Sequence, residues 1–463
     1  MPTLSVGDLR DAGGGVLLHG DPALRVSSYA IDTRKLAAGG AFFALPGERT
    51  DGHAFVGEAA RCGAIAAIVS RPPSGEGPFP AAMIQVDDVA AALARCGAFA
   101  RQRVRARVVA ITGSTGKTTT KELVAAGLGA RRKVHRTTGN LNNELGLPLS
   151  LLSCPDDAEA MVLELGMNGP GQIAFLARLA DPDIGLVTNV RPVHLEYFDS
   201  IDDIAAAKGE MFAVLREDGC SVVNLDDPRV RLQATRHAGR RITFGEAEGA
   251  DVRLEGIEDR FIPGATLRFR HDGRSRTLSL SLGGAHAARN ALAAVATVVA
   301  YGDDLEPALR AIAEVAPEAG RGRLTRLPDD VTVVDDTYNS NPEAVESVLG
   351  TLRASTPRGR RVLVLGDMLE LGRESAMFHR RAGEEAARSG VALLIGVGQF
   401  SRHAVDAARR AGIEVHAADN AADAARLVPG LLRPGDLVVV KGSRGVKLET
   451  VVEALVASRG EVA

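Results

Sequence analysis

The sequence predicts an α/β protein organised in three regions, residues 1–103, 104–318 and 319–463. In the central region, strand patterns such as AMVLELG, IGLVTNV and SVVNLDD alternate with helical patterns, which is typical of a parallel sheet covered by helices. In the last region, VTVVDD, RVLVLGD, ALLIGVG and DLVVVKG are each followed by a helical pattern, as in a Rossmann-like sheet. A length of 463 residues is enough for two to four domains of roughly 100–200 residues each.

The composition is that of a globular protein that does not bind nucleic acid. The chain is 45% hydrophobic and 24% charged, close to the average for soluble domains. Its net charge of −3, from 55 basic and 58 acidic residues, excludes a general electrostatic attraction to nucleic acid. Aromatic residues make up only 4% and Trp is absent, which argues against base stacking on single strands.

The sequence also predicts a soluble, cytoplasmic protein without membrane insertion. The cysteines, at positions 62, 96, 154 and 220, are scattered, so neither a zinc site nor a disulfide framework is expected. The N-terminal residues lack the basic and apolar segments of a signal peptide. The longest apolar run, at 291–300, is too short to span a bilayer.

Local patterns subdivide the three regions. The first contains short apolar runs between Gly/Pro turns, including the loop RPPSGEGPFP. Runs of period two around 252–282 predict an antiparallel insertion. A helix is expected from His286 to Tyr301 and a second one up to Val315, and EAGRGRL at 318–324 is interpreted as a linker.

The segment VVAITGSTGKTTTKEL carries the sharpest local signal. A buried strand ends at Thr112, a glycine-rich loop runs from Gly113 to Gly116, and a helix starts at Lys117. Such a loop turns backbone N–H groups and a helix N-terminus towards phosphate oxygens. Ile111 stands where the general G-x-x-x-x-G-K-[ST] pattern has its first glycine. The alternative is a glycine-rich turn that binds no nucleotide, but the order strand, loop, Lys, Thr and helix favours phosphate binding.

Three residues further along the chain narrow the chemistry. Glu164 ends a strand, in the crevice position where a carboxylate can reach a phosphate-bound Mg²⁺, although a solvated Glu is also common there. His194 follows another strand end and is either a ligand or an ordinary packed histidine. Lys208 lies on an Ala-rich helix. Beside a metal it makes sense only when deprotonated or masked, and otherwise its side chain would simply reach solvent.

Taken together, these residues resemble one family. TGSTGKTTT, LELGMN, NVRPVHLEYF, AKGEMF, NLDD and GAHAARNALAA occur in the order seen in the ATP-dependent Mur ligases of peptidoglycan synthesis. Further segments resemble the branch that adds D-alanyl-D-alanine, the MurF type. They are IDTRKLAAGGAFFALPGERTDGHAFVGEA, TTGNLNNELGLPLSLL, DDTYNSNPEAVESVL, VLGDMLELG followed by His379, and VVKGSRGVKLE.

The resemblance implies a fold and a reaction. The first region would be a UDP-binding α/β domain, the second a P-loop ATPase domain with a parallel sheet, and the third a Rossmann-like domain for the incoming dipeptide. ATP would phosphorylate the carboxylate of UDP-MurNAc-tripeptide, and the amine of D-Ala-D-Ala would displace phosphate from the acyl phosphate. The protein would mainly position the reactants and neutralise charge. One chain would contain all the binding functions, so a monomer is expected.

The resemblance also implies roles for individual residues. Lys117 would hold the β- and γ-phosphates, with Asn290 on the adenine and Arg321 on the phosphates. The residues implied around ATP are Thr112, Gly113, Ser114, Thr115, Gly116, Lys117, Thr118, Asn290, Arg321, Asp336, Tyr338, Asn339 and Asn341. Two Mg²⁺ ions are implied, with the ligands Thr118, Glu164, His194 and a carbamate on Lys208. The residues implied near the UDP-sugar are Asp32, Thr33, Arg34, Asp51, His53, Asn140, Asn142 and Asn143.

The sequence departs from the family pattern at several positions. Ala287 stands where the family commonly has Asn, Ser340 replaces a usual Ala, and Arg191-Pro192-Val193 precedes His194 in place of Gly-x-Ala.

Other functions are also conceivable for a chain of this kind. The ligase that adds the third residue shares the N-terminal pattern, but its DNPR-type segment is absent from this sequence. Folylpolyglutamate synthetase lacks the N-terminal UDP domain. A nucleotide switch or motor that joins nothing would not need the motifs of the third region.

Overall fold

The computed structural model describes residues 4–47, 50–73, 77–193, 196–259 and 264–460. The chain divides into two compact units. The first consists of Met1–Val190, Ala205–Phe244 and Ala293–Ala308, and the second of Arg191–Ile204, Gly245–Leu292 and Leu309–Ala463. Within the described ranges, no helix combines the length and apolar character needed to cross a membrane.

The N-terminal region is a small α/β sheet layer. Its elements are α1 (Val6–Gly13), β1 (Val16–His19), β2 (Ser28–Ala30), β3 (Gly40–Phe43), α2 (Val56–Arg61), β4 (Ala66–Val69), β5 (Ala82–Gln85) and α3 (Val89–Arg103). The strand order is β1-β5-β4-β3-β2, with β1 antiparallel to β5 and the others parallel. Alternate residues of β3 face opposite ways: Phe43 joins one apolar cluster and Phe42 the other, as period-two geometry requires. This places apolar contacts on both faces of the sheet.

The central region carries the phosphate-loop motif. Its elements are β6 (Arg107–Thr112), α4 (Lys117–Gly129), β7 (Val134–Arg136), α5 (Gly146–Leu152), β8 (Ala160–Glu164), α6 (Gln172–Ala180), β9 (Ile184–Val187), α7 (Ile201–Val214), β10 (Cys220–Asn224), α8 (Pro228–Gln233) and β11 (Arg240–Gly245). The strands β11-β10-β9-β6-β8-β7 are parallel neighbours in that order. The predicted alternation of parallel strands and helices is confirmed. Since β6 lies between β8 and β9, the loops that follow these three strands meet at one edge of the sheet.

The next segment is antiparallel, as its period-two pattern predicts. Its elements are β12 (Val252–Asp259), β13 (Ala265–His271), β14 (Arg274–Ser279), α9 (Ala285–Tyr301) and α10 (Leu305–Ala313). β13 pairs antiparallel with both β12 and β14. Ala265, Leu267 and Phe269 are buried, whereas Arg268 and Arg270 between them are exposed, so β13 has one apolar and one solvent-facing side.

The C-terminal region is Rossmann-like. Its elements are β15 (Arg323–Leu327), β16 (Val331–Asp336), α11 (Pro342–Ala354), β17 (Arg361–Gly366), α12 (Ser375–Arg388), β18 (Val391–Val397), α13 (Ser401–Arg410), β19 (Glu414–Ala418), α14 (Ala421–Leu431), β20 (Leu437–Lys441) and α15 (Glu449–Arg459). The order is β15-β16-β20-β17-β18-β19, with β15 antiparallel and the rest parallel. Continuous apolar runs arise because both faces are covered. Val438 packs in one cluster and Val439 in the other.

Two details of the C-terminal region differ from the sequence prediction. Residues 318–324 were expected to be a linker, but β15 begins inside them at Arg323. β19 was not predicted. Both are edge strands of this sheet, so they are only partly buried and lack the long apolar run that identified their central neighbours.

Candidate functional site

The loop after β6 has the geometry of an anion-binding turn. Gly113 and Gly116 have φ values of 148° and 78°, which favour glycine because a Cβ would be strained there. A Cβ on Gly113 would also lie 1.9 Å from the Thr188 hydroxyl. Lys117 begins α4 and donates from Nζ to the carbonyl oxygens of Gly113 (2.8 Å) and Ser114 (3.3 Å). The loop therefore presents an ammonium group and a helix N-terminus at the same place.

Two residues after β9 hold this loop in position. Asn189 Oδ1 accepts from the Thr115 amide (3.0 Å) and hydroxyl (3.2 Å), and its Nδ2 donates to the Thr115 carbonyl at 3.3 Å. The Thr188 hydroxyl donates to the same carbonyl at 2.7 Å. Neither residue is among those predicted from the sequence. The available signal was a Thr-Asn pair directly after an apolar strand, at the edge where the loop also lies.

Glu164 ends β8 beside the phosphate loop. It is paired in register with Ile111 of β6 and only 3% exposed. Its Oε1 accepts from Asn142 Nδ2 at 2.7 Å, whereas Oε2 is buried without a hydrogen-bond partner among the described residues. A buried carboxylate oxygen without a donor costs free energy unless a cation or another donor satisfies it. The site therefore fits an oxygen-liganded ion such as Mg²⁺.

Two threonine hydroxyl groups, one on each side of the phosphate loop, add further oxygen atoms to the site. Thr118 is buried at the start of α4, and the buried Thr112 Oγ1 has no hydrogen-bond partner in the part of the chain that the structure describes. Magnesium prefers hard oxygen ligands and retains several waters. A hydroxyl of α4 and the carboxylate of Glu164 are therefore chemically suited to share one ion with a phosphate.

Lys208 is a buried amine on α7. Its side chain is 2% exposed and makes no hydrogen bond or ion pair with any other residue that the structure describes. Burial, followed by repulsion from the Lys117 charge, lowers the pKa of Lys208 well below its usual value. A lysine in this environment is held towards the neutral, nucleophilic form. His194, which the resemblance implies as a metal ligand, lies outside the described residues.

The predicted UDP-sugar residues of the N-terminal region form local hydrogen-bonded groups. The Arg34 side chain is 84% exposed and binds both oxygens of Asp32. This hydrogen bonding, opposed by partial desolvation, lowers the pKa of Asp32 to about 2. Thr33 donates to Glu58 Oε1 at 2.8 Å.

His53 is held by the fold itself. It is buried, its Nδ1 lies 2.7 Å from Asp51 Oδ1, and its Nε2 accepts from the Ser70 amide at 2.9 Å. The backbone N–H and the ring of His53, together with Arg71, lower the pKa of Asp51 to about 2. Both imidazole nitrogens are therefore used inside the N-terminal region, and Asp51 is the more accessible of the two predicted residues.

The asparagines after β7 have different environments. Asn140 is exposed, Asn142 holds Glu164 as described above, and Asn143 accepts from the Gly146 amide at 2.8 Å. This last bond satisfies the N–H of the first residue of α5, which has no partner within the helix. Asn142 is thus the member of the group that contacts the candidate metal ligand.

Several residues predicted to contact the nucleotide form a second cluster, in the C-terminal region. Arg321 stacks on the ring of Tyr338, with its guanidinium carbon 3.8 Å from the ring centroid. Asp336 accepts from Lys441 Nζ at 2.7 Å, and Lys441 also donates to the Asn339 carbonyl at 3.0 Å. Lys441 is not among the residues predicted from the sequence, although it lies in the VVKGSRGVKLE segment that resembles the family.

The remaining predicted residues of this unit have simpler environments. Asn341 caps α11 by accepting from the Ala344 amide at 2.8 Å. Asn290 is buried on α9 and Ala287 of the same helix is also buried. Neither observation identifies a ligand for these residues.

Family comparisons cover most of the chain. A model of the Mur ligase middle domain matches residues 111–298, one of the Mur ligase glutamate ligase domain matches 320–444, and one of the Mur ligase family catalytic domain matches 25–101. UDP-N-acetylmuramoyl-tripeptide–D-alanyl-D-alanine ligase of Synechocystis sp. is 37% identical over 94% of this chain and 93% of its own. The Escherichia coli ligase of that name is 35% identical over 98% and 99%, respectively.

Solved structures of MurF ligases also match this chain over most of its length. A crystal structure of MurF from Acinetobacter baumannii matches with a TM-score of 0.88 at 30% identity, covering 99% of each chain. MurF ligase from Thermotoga maritima in complex with ADP matches with a TM-score of 0.77 at 28% identity, covering 93% of this chain and 97% of that one.

Proposed function

The chain belongs to the Mur ligase family, and from that premise we propose that it joins D-alanyl-D-alanine to UDP-N-acetylmuramoyl-tripeptide at the expense of ATP. The products are UDP-N-acetylmuramoyl-pentapeptide, ADP and phosphate, a step in peptidoglycan precursor synthesis. The observation that carries this proposal is similarity to ligases of that specificity along nearly the whole chain, including the region after residue 319. The phosphate loop and the buried Glu164 supply chemistry that such a reaction requires.

We propose that the loop between Gly113 and Gly116 binds the ATP phosphates. Its N–H groups and the N-terminus of α4 favour negative charge. Lys117 Nζ donates hydrogen bonds to loop carbonyl oxygens at 2.8 and 3.3 Å. If it donated to phosphate oxygens instead, its full positive charge would lie beside the β- and γ-phosphates. Binding of ADP by the Thermotoga maritima relative supports the use of ATP.

Thr118 and Glu164 would hold Mg²⁺, with the unpartnered Oε2 of Glu164 as the ligand atom. The ion, when bound, neutralises phosphate charge and polarises the phosphoryl group. The chain supplies the position. Asn142 occupies Oε1 through its bond of 2.7 Å, which leaves Oε2 for the ion. We further propose that a second Mg²⁺ binds at this site with His194 as one of its ligands.

Lys208 would take part as a carbamate. Its lowered pKa leaves a neutral amine whose lone pair can attack the carbon of CO₂, forming an N–C bond while the nitrogen loses a proton to solvent. The product is an anion with two oxygens. The negative charge of the carbamate would be attracted to the Lys117 ammonium, and its oxygens would be suited to bind an ion.

The reaction then needs no covalent intermediate with the protein. The tripeptide carboxylate attacks the γ-phosphorus and ADP leaves. The amine of D-Ala-D-Ala next attacks the acyl carbon, loses a proton and expels phosphate. The protein's contribution is orientation and stabilisation of the charge on the transferred phosphoryl group.

Substrate binding is proposed to follow the three predicted regions, 1–103, 104–318 and 319–463. The UDP-sugar would lie at Asp32–Arg34, Asp51 and the Asn140–Asn143 segment, where the exposed Arg34 guanidinium suits a diphosphate. The Tyr338–Arg321 cluster would contact the nucleotide, and the third region would take the dipeptide. We place the enzyme in the cytoplasm as a monomer, and sedimentation equilibrium across a range of concentrations tests the oligomeric state.

The test is phosphate release by purified protein with Mg·ATP and UDP-MurNAc-tripeptide, with and without D-Ala-D-Ala. The expected result is release that requires the dipeptide, together with a product heavier by one dipeptide minus water. Lys117→Met serves as the blank because it removes the phosphate-binding ammonium. Release independent of both substrates would indicate an ATPase of another kind. Activity with UDP-MurNAc-dipeptide and a free amino acid would indicate the ligase that adds the third residue.

A further inference from the structure

Lys121 is a buried charged residue of α4 that the reaction described above does not use. Its side chain is 1% exposed, one helical turn after Lys117 and Thr118. Its Nζ donates to the Thr137 carbonyl at 2.7 Å and pairs with Glu122 Oε1 at 2.8 Å. Glu122 also pairs with Arg136 Nε at 2.8 Å. Burying an ammonium group is costly, and a Met or Leu would fill the same space at less cost.

Thr137, whose carbonyl accepts from Lys121, is also hydrogen-bonded to the backbone of Glu164. Thr137 is fully buried just after β7, and its hydroxyl accepts from the backbone N–H of Glu164 at 3.0 Å. The Thr137 amide donates to the Val162 carbonyl of the same strand at 3.1 Å. Thr137 is therefore bonded to β8 on one side and to Lys121 of α4 on the other.

The same segment also contacts the carboxylate. Asn142 donates to Glu164 Oε1 at 2.7 Å, and the Asn142 carbonyl accepts from the Gly166 amide at 2.8 Å. The segment 137–142 is thus hydrogen-bonded to both the backbone and the side chain of Glu164. Lys121 is the charged link between this segment and the helix that carries Thr118.

We propose that Lys121 is a positioning residue for the Mg²⁺ site, acting through Thr137 to set where the Glu164 carboxylate lies relative to Thr118. The inference rests on the proposed role of Glu164 as a ligand of nucleotide-bound Mg²⁺. Thr118 and Lys121 are on one helix, and Glu164 is on a different strand. The bond from Lys121 to the Thr137 carbonyl therefore links the two ligands directly across α4 and β7, in addition to the pairing of β8 with β6. Supports of this kind typically change metal affinity by about 10–100-fold when removed.

The experiment measures metal affinity rather than turnover. Mn²⁺ replaces Mg²⁺, and its binding to the protein–ADP complex is followed by electron paramagnetic resonance. ADP binding in EDTA is measured in parallel by calorimetry. Lys121→Met is expected to weaken Mn²⁺ binding about 10-fold, while metal-free ADP affinity changes by less than about twofold, because Lys121 does not touch the phosphate loop. Lys121→Arg, which keeps a donor, is expected to retain part of the affinity.

Thr137 gives an independent variant pair. Thr137→Val removes the acceptor for the Glu164 N–H and should weaken Mn²⁺ binding, whereas Thr137→Ser keeps it. The double variant Lys121→Met/Thr137→Val should be no weaker than the worse single variant, since both act through one path. If Lys121→Met does not fold, the comparison of Thr137→Val with Thr137→Ser still tests the inference.

Lys133→Met is the matched control. Lys133 is 68% exposed and pairs with Asp157 at 2.6 Å, so its removal should alter neither binding constant. Unchanged Mn²⁺ affinity in both Lys121→Met and Thr137→Val would overturn the inference, as would an equal loss of metal-free ADP binding. The ligase assay on the wild-type protein is a separate measurement, so failure of the proposed reaction and failure of this inference are distinguishable.

Discussion

Asn189 binds Thr115 of the phosphate loop through both of its side-chain polar atoms. Oδ1 accepts from the Thr115 amide and hydroxyl at 3.0 and 3.2 Å, and Nδ2 donates to the Thr115 carbonyl at 3.3 Å. One asparagine after β9 thus fixes the conformation of a loop that follows β6. A loop held in this way before the nucleotide arrives loses less conformational freedom on binding.

Asn189→Ala is therefore expected to weaken nucleotide binding. Loss of these neutral hydrogen bonds should raise KM for ATP about 10-fold, which corresponds to about 1.4 kcal/mol, with a smaller change in kcat. Steady-state kinetics with varied ATP checks this. Asn420→Ala, which removes the capping bond to the Asp423 amide of α14, is the control and should leave KM for ATP unchanged. An unaltered KM in Asn189→Ala would show that the loop does not need this support.

Gly113→Ala should abolish nucleotide binding. The new Cβ would lie 1.9 Å from Thr188 Oγ1, on a backbone with φ of 148°, so both the steric clash and the conformation oppose it. The expected result is no detectable ADP binding by calorimetry, together with a lower Tm. Gly129→Ala at the other end of α4 is the matched control, because its Cβ would meet nothing closer than 4.0 Å. That variant should bind ADP normally and be stabilised by about 0.4–1 kcal/mol; equal behaviour of the two would contradict the prediction.

Lys208→Met should separate stability from activity. Removing a buried amine whose pKa is lowered by burial and by Lys117 is expected to raise the Tm in CO₂-free buffer at neutral pH. The rise should be about 2–4 °C for each kcal/mol recovered. Ligation should be lost, since a thioether cannot form a carbamate. Wild-type protein given ¹³C-labelled CO₂ should show a carbamate carbon signal by NMR that Lys208→Met lacks, and an identical signal in both would refute the assignment.

His379 should make the stability of the C-terminal region pH-dependent. It is fully buried, its Nδ1 lies 2.7 Å from the Ser375 carbonyl, and its Nε2 accepts from the Met368 amide at 2.9 Å. Burial lowers the pKa of His379, opposed by the Ser375 bond and by Asp367, while His403 adds to the lowering. With the folded pKa below the unfolded value, the unfolded state takes up the proton first as pH falls.

The contribution of His379 is thus fully present above the unfolded pKa of about 6.5 and decreases as pH falls below it. Urea unfolding of the wild-type protein should show a lower midpoint at pH 5.5 than at pH 7.5. His379→Gln should be less stable at pH 7.5 by about 1–3 kcal/mol and should depend less on pH over this range. His416→Gln, at a partly exposed position, is the control and should retain the wild-type slope; the same slope in His379→Gln would contradict the assignment.

Much of the fold was predictable because its signals are local. The apolar runs of β8, β9, β16 and β17 identify buried parallel strands, and the period-two runs identify the β12–β14 segment. The edge strands β15 and β19 were missed because half-buried strands of five residues carry little periodicity. The domain boundaries at 103/104 and 318/319 stay predictions.

The sequence by itself determined the α/β class, the phosphate loop and the residue types around it, since each depends on neighbours along the chain. Only the tertiary structure decided which side chains support them. Thr137 and Asn142 reach Glu164 from 27 and 22 residues away, and Asn189 reaches Thr115 across 74. It also showed that both nitrogens of His53 are used within the fold. Contacts of this kind depend on which strands become neighbours, and strand order is set by packing of the whole sheet rather than by any local pattern.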